Sequence, residues 1–78
     1  MNKQETYKTS DIVLASTLKV HGYALDDIEL KGTKGIFIFL DVHQTFLNEF
    51  DLGKVQVEPV IFNNTIKQLT TSVRRMLT

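Results

Sequence analysis

Five apolar residues in a row, Ile36-Phe37-Ile38-Phe39-Leu40, stand between Gly35 and Asp41. Successive strand residues point to opposite faces of a sheet, so an unbroken apolar run asks for cover on both. The run is too short and too sharply bounded to be a helix. It predicts a central strand, to which the rest of the chain must supply neighbours and cover. Immediately upstream, Lys31-Gly32-Thr33-Lys34-Gly35 reads as a glycine-containing turn, and Ile28 and Leu30 share one face of the strand before it. Together these predict a hairpin.

Helical signals flank the hairpin. Ser10 is placed to cap a helix over about 11–21, with Asp11 suited to its positive end. Ile12, Val13, Leu14, Ala15 and Leu18 supply the buried face, and Gly22 stops the helix in the left-handed cap conformation. Leu18 and Tyr23 then stand where a Schellman ending makes its apolar contact. After the apolar strand, Asp41 with Gln44 suggests a capping-box variant. Val42, Phe46, Leu47 and Phe50 form the apolar side of that second helix, which Gly53 closes. Lys54-Val55-Gln56-Val57-Glu58 alternates, predicting a half-exposed third strand, reached as a right-handed parallel crossover. Pro59 suits the first turn of a last helix over 59–77. Along it Phe62, Ile66, Leu69, Val73 and Met76 recur at helical spacing. Residues 1–8 are polar apart from Tyr7 and are expected to fray. The expectation is one α+β domain over residues 1–78, order α-β-β-α-β-α, with a two- to three-stranded sheet packed by helices.

Composition limits the function. At 78 residues with a hydrophobic fraction of 42%, the chain has the make-up of a small ordered domain rather than a disordered one. Nine basic and nine acidic residues give a formal net charge of zero, which counts against a strong duplex binder. There are no cysteines, so thiolate zinc sites and disulfides are excluded. The start MNKQETYKTS carries no apolar leader, and no apolar run approaches membrane-spanning length. A cytoplasmic location is expected.

The segment Tyr7-Lys8-Thr9-Ser10-Asp11-Ile12, the Gly22-Tyr23 helix stop and the strand Gly35-Ile36-Phe37-Ile38-Phe39-Leu40-Asp41 resemble a family of small proteins from phages and mobile elements of bacteria and archaea. The likeness covers roughly residues 7 to 52. It implies a phage or mobile-element setting and transfers no catalytic or binding residue.

Few residues invite chemistry. Asp41 and His43, with His21 or Glu49, suggest a metal set, but the histidines lack the HxxxH or HExxH spacing of metal ligands. A capping Asp41 and a first-turn His43 are the simpler reading. Asp26, Asp27 and Glu29 form an acidic cluster, more simply a solvated loop. No metal, cofactor, catalytic residue or small-molecule substrate is expected. What remains is basic: Lys67, Arg74 and Arg75 on the last helix, with Asn63 and Thr70 beside them, and Lys31 and Lys34 at the hairpin. These can position phosphates, although a basic helix end also complements its own dipole. The expectation is a small non-catalytic binding module, with weak sequence-tolerant nucleic-acid association first. Association with a protein partner or a second copy is the alternative, and a small metal-dependent enzyme the remotest.

Overall fold

The computed structural model describes residues 5–78, and the apolar run is its central strand. In chain order the elements are β1 (Thr6–Thr9), α1 (Ile12–Val20), β2 (Leu25–Lys31), β3 (Lys34–Leu40), α2 (Gln44–Asp51) and α3 (Pro59–Met76). The sheet has the order β1-β3-β2, antiparallel throughout. The protein is therefore α+β, with a three-stranded sheet and three helices. Phe37 and Phe39 turn to one side and join Leu14, Ala15, Leu18 and Leu69 in the core. Ile38 faces the other side, opposite Lys8 of β1 and Asp27 of β2. There an exposed Lys8–Glu29 ion pair of 3.3 Å links the two outer strands.

The third strand is not where the alternation put it. Residues 54–58 form no strand, and the expected parallel crossover is absent; the third strand is β1, most of which falls in the segment expected to fray. Fraying of residues 1–4 lies outside the described residues. β3 has only two sides to offer, and Thr6–Thr9 and Leu25–Lys31 take both. The alternation at 54–58 survives as burial alone: Val55 and Val57 are half-buried and their neighbours exposed. The element order is thus β-α-β-β-α-α.

Two caps differ from expectation. Asp11, not Ser10, caps α1: its carboxylate accepts from the amides of Val13 and Leu14 at 2.9 and 3.2 Å. Asp41 caps nothing. It adopts a positive φ of 53°, which Asp tolerates better than most residues, and its carboxylate accepts from the Glu5 amide at 3.1 Å. The residue before α2 is His43, which makes no side-chain cap. The Gly22 stop is as expected. The Tyr23 amide donates to the Leu18 carbonyl and the Gly22 amide to that of Lys19, the paired bonds of a Schellman ending. At the hairpin, Gly32 at φ +65° is the first of two turn residues, where a II′ turn needs a glycine.

Gly35 has a different task from the turn expected of it. It lies within β3, where a Cβ would come 2.5 Å from a Val73 methyl. The bare backbone lets α3 approach the sheet. α3 is about 27 Å long at 1.5 Å per residue, and Glu58 caps it through the amides of Val60 and Ile61. Its seam holds in the middle: Leu69 is buried, Phe62, Ile66 and Val73 are half-buried, and Met76 is exposed. α1 lies against it and has no polar face, with Leu14 to Leu18 all buried. Five consecutive positions at 3.6 residues per turn encircle a helix, so α1 is enclosed on every side at its middle.

Candidate nucleic-acid interface

α3 has one face on the core and one in solvent, and the solvent face carries the basic residues. Lys67, Arg74 and Arg75 are all exposed. Lys67 and Arg75 line one open groove of about 590 Å³ along the helix, with Asn64, Gln68 and Thr71. These uncharged side chains offer donors and acceptors at spacings that keep them on one side. Asn63 and Thr70, singled out from the sequence, are exposed on the same helix but do not line this groove. The row of Asn64, Gln68 and Thr71 is invisible to a reading by charge, because its members are neutral.

The other cations divide. Lys34 and Arg74, 40 positions apart, both line a cleft of about 310 Å³ between the start of β3, the start of α1 and the end of α3. Lys31 stands apart, in a groove shared with Lys8 and Glu29. Arg75 also borders a second hollow with Asp26 and Asp27, so the acidic cluster lies near one end of the basic surface.

A further asymmetry belongs to the sequence and was masked by its zero net charge. All nine acidic residues precede Pro59, whereas residues 59–78 hold three cations and no acid. The nearest acid in sequence, Glu58, spends its carboxylate on the α3 amides. Among the described residues the one ion pair is Lys8–Glu29, so Lys67, Arg74 and Arg75 form none, although Arg75 borders a hollow with Asp26 and Asp27.

The candidate metal ligands are not brought together. His21 Nε2 donates to the Gln56 carbonyl at 2.9 Å, and its ring meets Phe46 edge-on at 5.2 Å. His43 approaches Tyr23 edge-on, and Asp41 holds the Glu5 amide. Glu49 shares a shallow groove with His21 and Lys54. Among the described residues, no three His, Asp or Glu side chains are grouped to hold a metal ion. Asp27 accepts from the Ile28 amide at 2.8 Å, and Glu29 pairs with Lys8. No described helix is long and apolar enough to cross a membrane.

No protein-family model, no curated protein and no solved structure matches this chain.

Proposed function

We propose that the protein is a non-catalytic module that associates weakly with nucleic acid through the solvent face of α3. Lys67, Arg74 and Arg75 contact backbone phosphates and Lys34 extends the surface at one end, whereas Lys31, in the groove with Lys8 and Glu29, lies outside it. The observation that carries this reading is the absence of any acidic residue from 59–78 in a chain of zero net charge. A helix face that merely meets water has no need to exclude one sign of charge. An anionic partner accounts for the exclusion, because each acid on the contact face would repel it. Phosphate contacts fix position without reading bases, so binding is weak, tolerant of sequence and steeply dependent on salt. A cytoplasmic setting, and the resemblance to phage and mobile-element proteins, are in keeping with such a role.

Fluorescence-anisotropy titration with single- and double-stranded oligonucleotides at low salt tests the proposal. Binding that weakens with added salt and disappears on joint Lys67→Glu and Arg74→Glu substitution is the expected result. No binding at high micromolar protein, or binding indifferent to the double reversal, contradicts it.

A further inference from the structure

The cleft between α1, β3 and α3 is open, like the grooves around it, but its lining is of a different make-up. Gly35 forms part of its wall, and the missing side chain there lets Val73 lie close against the strand. Ile12, Val73 and Leu77 contribute apolar surface, the first two half-buried and Leu77 exposed, while the buried Phe37 lies beneath. Lys34 and Arg74 are exposed cations in the same lining. Ser10 and Thr70 add hydroxyl groups, and no acidic residue lines the cleft. Asp11, the nearest acid in sequence, has its carboxylate turned to the α1 amides. Neither Lys34 nor Arg74 belongs to an ion pair among the described residues. The groove on the opposite sheet face makes the contrast: there Lys8 and Lys31 share their lining with Glu29.

We propose that this cleft binds a small organic anion, with its carboxylate or phosphate held by Lys34 and Arg74 and its apolar part seated against Ile12, Val73 and Leu77. The two halves of the lining select for the two halves of such a ligand. Two cations with hydroxyl neighbours suit an oxyanion, since charge-assisted hydrogen bonds are the stronger kind. Apolar surface beside them gives an attached ring or short chain a place out of water. At about 310 Å³ the space lies at the lower end of small-molecule sites. Lys34 and Arg74 also belong to the proposed nucleic-acid surface, but the cleft does not depend on that reading, because it is lined by neither Lys67 nor Arg75, which line the α3 groove.

The test is an amide-resolved NMR titration of the whole chain with phenyl phosphate, run beside benzoate, inorganic phosphate and phenol. Phenyl phosphate or benzoate is expected to give saturable shifts at Lys34, Gly35, Thr70 and Arg74. Whichever of the two binds identifies the anion, and binding of both assigns the cleft to oxyanions generally. Inorganic phosphate and phenol, each carrying half of the recognised chemistry, are expected to bind about tenfold more weakly or worse. Lys34→Gln and Arg74→Gln, both on exposed side chains, should each weaken binding by about tenfold, the worth of one charge-assisted hydrogen bond. Joint Lys67→Gln and Arg75→Gln substitution should leave it unchanged, which separates the cleft from the nucleic-acid surface. The absence of saturable shifts with both organic anions at about 10 mM overturns the proposal. So does inorganic phosphate binding as tightly as phenyl phosphate, or affinity that survives replacement of both Lys34 and Arg74.

Discussion

α1 and α3 lie against one another beside the same sheet, yet they divide their residues in opposite ways. α1 is enclosed from Leu14 to Leu18 and has no polar stripe; packing alone explains its composition. In α3 only Thr65 and Leu69 are fully buried, and most of its surface is left to solvent. That surface bears cations, amides and hydroxyls without one carboxylate. Exposed helices ordinarily gain from pairs of opposite charge one turn apart, and α3 forgoes them. α1 is given to folding through its enclosed middle, whereas α3 serves the fold with one side and leaves the rest exposed.

The comparison is broken most easily in the core. Leu18→Ala and Leu69→Ala remove side chains that are 0% and 1% exposed, and each should cost roughly 2–5 kcal/mol. Urea unfolding measures both. If Leu69→Ala unfolds with the parent, α3 is not part of the fold and the two-sided account of it fails.

Gly35→Ala comes next. Its new methyl meets Val73, and overpacking of this kind costs about 1–3 kcal/mol. Adding Val73→Ala should recover part of the loss, as a double-mutant cycle would register. Additive effects would mean that the close approach of α3 to β3 is not what glycine secures.

Smaller effects distinguish the start and middle of α1. Asp11→Ala should cost about 1 kcal/mol, the usual worth of a cap, and Ser10→Ala less than about 0.5 kcal/mol, as for an ordinary surface change. Reversal of that order in thermal melts would restore Ser10 as the cap. Ser16 Oγ is buried without a hydrogen-bond partner, so Ser16→Ala gives up no bond. Stability within about 1 kcal/mol of the parent, on either side, is expected. A larger loss would reveal an interaction in the enclosed helix that packing does not explain.

What was legible in the sequence was local. The run Ile36–Leu40, the hairpin, the Gly22 stop and the α3 seam each carry their signal in a few adjacent residues. β1 was not legible, because Thr6-Tyr7-Lys8-Thr9 is an edge strand whose place is set by its pairing with Phe37–Leu40, not by its own hydrophobicity. The segment Lys54–Glu58 misled for the converse reason: period-two burial reports one covered side and says nothing of a hydrogen-bonded neighbour. The cations of the candidate interface could be named individually, but the placing of Lys34 and Arg74 in one cleft is a product of the fold. The acid-free stretch 59–78 was in plain view, hidden by a net charge that averages it against the rest of the chain.

The claim that α3 folds with one side and binds with the other is tested most directly by the salt dependence of oligonucleotide affinity. The parent is compared with a variant carrying Lys67→Gln, Arg74→Gln and Arg75→Gln, and the melting of each is recorded alongside. For duplex DNA each phosphate that a cation neutralises adds about 0.9 to the steepness of log affinity against log salt. The account predicts a slope shallower by about 2 to 3 in the variant, much weaker binding, and a melting curve close to the parent's. Equal slopes and affinities in the two proteins, or a variant that no longer folds, would contradict it.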